Sequence, residues 1–193
     1  MPLSIKNCPC QINPSLAISS NALAYKDCCQ PYHDSLDEDG TDNSAGAQAE
    51  SAERLMRTRY SAFALVKADY IVKTTVPAQQ ALLDINDIKI WAKETDWAGL
   101  EIVQHTPKLG KRHAQVEFKA YYNTEDGLQA HHELSSFVKV TDRVKVTDKS
   151  ASGDKERWYF LDPTVSMSVG QKQPCICGSG EKFKRCCGVC LAN

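Results

Sequence analysis

Nine cysteines gather in two tight groups, Cys8, Cys10, Cys28 and Cys29 at one end of the chain and Cys175, Cys177, Cys186, Cys187 and Cys190 at the other, with none between positions 30 and 174. A disulfide scaffold spreads its cysteines through a core, whereas two terminal groups mark two small, separate sites. In the C-terminal group four thiols surround the turn Gly178-Ser179-Gly180. Cys175 and Cys177 stand two apart, so in an extended segment both leave the same face. The glycines let the backbone fold back tightly enough to return Cys186 and Cys187 to them. Four converging thiolates suit a closed tetrahedral zinc site, and the same geometry accepts iron. A site closed by four cysteines keeps no open position for a substrate, so it is not a catalytic centre.

Four thiolates around one divalent ion leave a net charge of about minus two. Lys182, Lys184 and Arg185 lie within a few residues to offset it, and the amides of Gly178 to Gly180 can donate to the sulfurs. Disulfides or inert thiols are the bland reading; adjacent cysteines and a start, Met1 to Lys6, without a secretory pattern argue against it. Cys190 is left over as a free thiol. The N-terminal group repeats the grammar: Tyr25-Lys26-Asp27-Cys28-Cys29 parallels Phe183-Lys184-Arg185-Cys186-Cys187, aromatic, lysine, any residue, Cys-Cys. It departs in having Gln11-Ile12 in place of Gly-Ser, and 17 residues rather than 8 between the cysteine pairs. That lengthening costs only about 0.7 kcal/mol of closure entropy, against about 10 to 16 kcal/mol from a structural zinc site. Loop length alone does not abolish metal binding.

At 193 residues, 42% apolar and 24% charged, the chain has room for one ordinary core with small appendages. A net charge of -1 supplies no field to draw in nucleic acid, and with Phe183 alone available for stacking in the C-terminal module, nucleic-acid binding is not expected. No apolar run approaches the roughly 20 residues of a membrane span. The expectation is a cytoplasmic protein without a membrane contact.

Between the cysteine groups, Asp34 to Glu53 carries seven acids and no lysine or arginine, the composition of a solvated linker. Ala52, Leu55, Met56, Tyr60, Phe63 and Val66 then recur at helical spacing and predict a helix over 50–67. Arg54, Arg57 and Arg59 on it read either as anion ligands at a pocket or, more simply, as partners of acids such as Glu50 and Glu53. A second helix starts near Asp69 and stops before Pro77, and a third spans 85–93. From Trp97 the period changes to two, giving four strands: Leu100 to Gln104, Val116 to Tyr122, His132 to Val140 and Trp158 to Phe160. Turns fall at Leu109 to Lys111, Glu125 to Gly127 and Ser150 to Asp154. The fold class is α+β, with helices packed on one face of a curved four-stranded antiparallel sheet, a cone-like or cystatin-like roll flanked by two small cysteine-rich metal-binding modules.

The run Cys-x-Cys-Gly-Ser-Gly-x-Lys-x-x-Arg-Cys-Cys, Cys175 to Cys187 here, resembles the SEC-C motif found at the tail of the export motor SecA and at the ends of many bacterial proteins. That resemblance implies zinc on Cys175, Cys177, Cys186 and Cys187, and docking onto a protein partner such as an export chaperone or the ribosome. Together with Arg54 to Phe63, Thr95 to Leu100, His132 to Val138 and Trp158 to Asp162, the two modules make the whole chain similar to the YchJ-like bacterial family. The family implies a nuclear-transport-factor-2-like (NTF2-like) cone at 51–165, between an N-terminal SEC-C-like module at 1–33, a linker at 34–50 and the C-terminal module at 166–193. Such cones often enclose a pocket, for which Tyr60, Trp97, His132 and Glu133 are the candidate walls or acid–base groups. His132 and Glu133 are strand neighbours and cannot both enter it. Two functions follow: a zinc-binding, non-enzymatic adaptor that contacts a protein or ribosomal partner through its modules, or a small-molecule enzyme or binding protein that uses the cone and keeps its zinc for structure.

Overall fold

The computed structural model describes residues 7–16, 22–37, 47–142 and 155–191. A single 3-10 turn, Pro9–Gln11, is followed by the short helices α1, Tyr25–Cys28, and α2, Gln30–Asp37. The acidic stretch therefore begins inside a helix, because Tyr32 and Leu36 of α2 pack against the cluster of Ala62, Tyr70 and Ile71. Its residues 38–46, and the expected turn at Ser150 to Asp154, lie outside the described residues.

The central helix α3, Ala52–Ala64, is capped by Ser51, whose side chain accepts from the Arg54 amide at 3.0 Å. Val66, assigned by spacing to its apolar face, instead lies past its end at φ 56. There the Lys67 amide bonds Ala62 O and the Val66 amide bonds Phe63 O, a closure that needs a left-handed residue at that position. The reversal leads into α4, Ala68–Lys73, a turn α5 at Pro77–Gln80, and α6, Ile85–Glu94, which Asp84 caps. Then come β1, Asp96–Leu109, β2, His113–Thr124, β3, Gly127–Asp142, and β4, Lys155–Leu161, and last a 3-10 turn at Phe183–Arg185 and the short helix α7, Cys187–Cys190.

The strands pair antiparallel in the order β1-β2-β3-β4. Three register shifts in β1 mark the bulges that bend such a sheet. Register decides which face each residue joins. Val116 sits opposite Ser135, Phe118 opposite Glu133, Ala120 opposite His131, and Phe137 opposite Phe160. Paired residues share a face, so this whole set looks toward the helices. The opposite face carries His113, Ser136, Val138, Tyr159 and Leu161. In β3 the alternation of His132, Leu134, Ser136, Val138 and Val140 with polar neighbours predicts the even residues as the buried phase. The structure makes them the back face: His132 and Leu134 are exposed, while Ser136 and Val138 are buried. Val138 is apolar because the C-terminal cysteine module packs there, with Val76, Tyr159 and Leu161.

Candidate metal centres and a central cavity

The sulfurs of Cys8, Cys10, Cys28 and Cys29 lie within 4.8 Å of one another, as do those of Cys175, Cys177, Cys186 and Cys187. All eight side chains are buried. In the N-terminal cluster Cys10 Sγ stands 3.6 Å from Cys8 and Cys28 and 3.5 Å from Cys29, and Cys28 and Cys29 are 3.9 Å apart. In the C-terminal cluster Cys177 and Cys186 are 3.5 Å apart. A tetrahedron with Zn–S bonds of about 2.3 Å has edges of about 3.8 Å. A disulfide needs sulfurs near 2 Å. The donor sets therefore fit tetrahedral zinc and not cross-links.

Protons are already unevenly shared among these thiols. Hydrogen bonds from Cys10 and Cys29 hold Cys8 well below its ordinary range, and one from Cys10 lowers Cys28 to about 7. Cys10, bonded to Cys28, Cys29 and Cys8, is pushed up. At the other cluster Cys175 and Cys187 hold Cys177 down, while burial raises Cys186 to about 12. Each cluster thus holds thiolate beside protonated thiols, and an arriving cation displaces the remaining protons.

The neighbours of the two clusters differ. At the N-terminal one, Gln11 Nε2 lies 3.6 Å and Arg54 Nη1 3.9 Å from Cys28 Sγ, Ser61 Oγ is 3.4 Å from Cys8 Sγ, and Arg57 Nη1 donates to Cys10 O at 3.2 Å. At the C-terminal one, Ser179 Oγ is 3.5 Å from Cys186 Sγ and the Cys187 amide donates to Cys175 Sγ at 3.4 Å. His113 reaches in from β2, its Nε2 3.5 Å from Cys187 Sγ. Lys182, Lys184 and Arg185, expected to offset the sulfur charge, point into solvent, and no described contact joins them to a sulfur. Cys190 is half-buried beside this cluster.

Between helices and sheet lies a cavity of about 790 Å³. Tyr60, Trp97 and Glu133 line it. His132 does not: it is on the outer face, its Nε2 2.8 Å from Glu117 Oε1. Strand alternation turns His131 inward instead, and its Nε2 lies 3.0 Å from Glu133 Oε2, with Ser135 Oγ donating to the other carboxylate oxygen. That pair is the arrangement in which a carboxylate orients an imidazole to take a proton. Phe63, Trp91 and Trp97 form an aromatic wall with ring centroids 4.8–5.8 Å apart, and Trp97 Nε1 donates to Ala92 O at 3.1 Å.

Of the three arginines on α3, Arg54 and Arg57 pair with Glu50 and Glu53 at 3.2 and 2.9 Å, the simpler reading. Arg59 does not. It is 5% exposed, lines the cavity, and donates through Nη1 to Ile71 O at 2.8 Å and Thr74 Oγ1 at 2.7 Å. Burial lowers its pKa to about 10, so it stays charged at neutral pH. The signal was present in the spacing, since Arg59 falls three after Met56 and four after Leu55, on the apolar stripe.

A cone of helices on an antiparallel sheet, enclosing a cavity and flanked by two four-cysteine zinc-binding modules, is the class of protein that this fold and these sites define. The chain belongs to the YchJ family. Residues 51–163 match the YchJ middle NTF2-like domain, 2–37 the N-terminal zinc binding domain of YchJ family proteins, and 172–188 the SEC-C motif. It is 42% identical to a UPF0225 protein of Actinobacillus succinogenes over 95% of this chain and 97% of that one, and 45% identical to a UPF0225 protein of Haemophilus influenzae over 96% and 94%. A crystal structure of a SEC-C motif containing protein from Psychrobacter arcticus superposes with a TM-score of 0.87 at 66% identity, covering 98% of this chain and 99% of that one. The solution structure of a SEC-C motif containing protein from Rhodopseudomonas palustris gives 0.55 at 29% identity, covering 81% and 95%.

Proposed function

We propose that the chain binds a small organic molecule in the central cavity, with the two zinc modules acting as structural clamps on that container. One observation carries this reading: a cavity of about 790 Å³ whose aromatic wall faces a buried arginine and an inward Glu133–His131 pair. Ligand sites are concave, mostly apolar and furnished with a few converging polar groups, at about 300–1,000 Å³. The closed cysteine sites support the same division of labour, because four thiolates leave a zinc ion no open position for a substrate and only structure to hold. Reduced thiols at both sites fit a cytoplasmic setting.

The test is to purify the protein natively, denature it and identify released small molecules by mass spectrometry. A stoichiometric organic compound is expected, absent from a folded Ala120→Trp variant, whose indole would occupy the cavity beside His131. If wild type and variant release the same material, the reading falls.

A second reading, the zinc-binding adaptor, draws on the C-terminal module. Lys172, Lys182, Lys184 and Arg185 are exposed on it and Val189 is 63% exposed, a basic surface with an apolar spot suited to a protein or ribosomal partner. Partners captured from a lysate by the full chain should disappear when the four basic residues are changed to Gln. Retention of the same partners would remove this role.

A further inference from the structure

The cavity reading leaves the ligand's chemistry open, and Arg59 narrows it. A buried charge is ordinarily paired, because desolvating an ion costs several kcal/mol that neutral neighbours repay poorly. Among the described residues Arg59 has no carboxylate within ion-pair distance; its partners are Ile71 O, the Thr74 and Thr75 hydroxyls and the face of Phe160, 4.3 Å from the guanidinium carbon. All three hydrogen bonds use Nη1. The Nε–Nη2 edge makes none, on a side chain that lines the cavity.

Of the four acids that line the cavity, three hold other partners and the fourth, Asp87, is exposed on α6. Glu133 is taken by His131 and Ser135, Asp162 Oδ1 accepts from the Thr164 amide at 2.9 Å and its hydroxyl at 2.6 Å, and Asp84 caps α6 at the rim. Their charges still disfavour a polyanion, so the group that fits is singly charged. One free edge of a guanidinium presents two parallel N–H donors, the match for a planar carboxylate. Met56, Phe63, Ile71, Trp97, Phe118 and Phe160 give the lining a broad apolar wall, with hydroxyls such as Thr75 and Ser135 between them.

We propose that Arg59 anchors the carboxylate of a small, largely apolar organic acid bound in this cavity. The proposal rests on the cavity reading, and the experiment separates the two. The full-length zinc-loaded protein is titrated with 4-phenylbutyrate and octanoate, and in parallel with 4-phenylbutyramide and octanamide, followed by tryptophan fluorescence and by the Arg59 Nε–H nuclear magnetic resonance signal. The acids are expected to bind at least tenfold more tightly than their amides and to shift that signal, because a buried donor edge left unmatched penalises the neutral analogue. Arg59→Lys should weaken the preference and Arg59→Met erase it. If Arg59→Met does not fold, the wild-type contrast decides. Equal binding of acid and amide, or acid binding with the Arg59 signal unmoved, overturns the anchor and leaves the cavity reading standing. Binding of neither class overturns both.

Discussion

The sulfurs of Cys8, Cys10, Cys28 and Cys29 lie in the same buried cluster as Leu55, Met56, Tyr60, Phe118 and Phe137, so the N-terminal site is part of the cone's own core. Those of Cys175, Cys177, Cys186 and Cys187 belong to a second cluster on the back of the sheet, with Val76, Val138, Tyr159 and Leu161. Backbone bonds repeat the contrast. The Leu100 amide donates to Ile12 O at 2.7 Å, tying the first cysteine loop to β1, whereas the bonds of the last module run mainly within it, as from the Cys175 amide to Glu181 O. The copy that departs from the motif is the more deeply integrated one. Losing Gly-Ser from the loop matters less when the surrounding protein, through Gln11, Arg54, Arg57 and Ser61, supplies the donors that the motif otherwise carries within itself.

Breaking one ligand at each site should separate them most widely. Cys10→Ser removes a fully buried ligand from a site worth about 10 to 16 kcal/mol of binding, comparable to the whole stability of a domain, about 5 to 15 kcal/mol. The expected result is global unfolding, read by circular dichroism. Cys177→Ser should release one zinc per chain and uncover Val138, Tyr159 and Leu161, lowering the midpoint while the cone stays folded. Equal effects would erase the distinction. A smaller version leaves the sulfurs alone. At Gly99, φ 153, an added Cβ would meet Ile12 O and Pro14 Cδ at 2.6 Å; at Gly188 it would meet Phe183 O at 2.7 Å. Gly99→Ala should lower global stability by about 2 to 4 kcal/mol in denaturant titration. Gly188→Ala should loosen the C-terminal zinc and leave that global transition in place.

The comparison also shows what the chain disclosed in advance. Spacing picked out the eight cysteines that the structure gathers into two clusters, because thiolate chemistry tolerates few arrangements and each cluster is local or nearly so. Period found α3, α4, α6 and the four strands, and left the short helices α1, α2, α5 and α7 unmarked. It misjudged β3, where the cavity-facing residues, His131, Glu133 and Ser135, are polar and the apolar-looking phase belongs to a face covered by a module about forty residues further on. His113 was missed for the same reason: odd-numbered in β2, it was bound to face away from Val116 and Phe118, but nothing local says that two cysteines will meet it there. Arg59 could be placed on the apolar stripe by counting. That it would lack a carboxylate depends on where β3 and the 162–166 segment lie.

Two residues outside the ligand sets sharpen the contrast at lower amplitude. His113 joins the sheet to the C-terminal cluster, and neighbours that orient metal ligands are worth about 10- to 100-fold in affinity. His113→Ala should speed zinc release from that site by about tenfold in a chelator competition, without changing release from the other site. His113→Gln, which keeps a donor, should recover much of the difference. A His113→Ala variant that loses both metals together would mean that the two sites are mechanically one.

Arg54 should give the smallest effect, and its size follows from its surroundings. The side chain stands 3.9 Å from Cys28 Sγ, a long contact, and it shares its charge with Glu50 at 3.2 Å. It is 28% exposed, so water screens what it contributes. Removing it also leaves Gln11 Nε2 on the same sulfur. Arg54→Met is therefore expected to weaken zinc retention at the N-terminal site by no more than about threefold, roughly the value of an exposed ion pair, with the C-terminal site unchanged in the same competition assay. A tenfold loss would show that the fold neutralises this cluster chiefly by one arginine and not by burial and neutral donors. The integration of the N-terminal site would then rest on charge, and the Gly99→Ala variant, which disturbs packing alone, should leave its zinc in place.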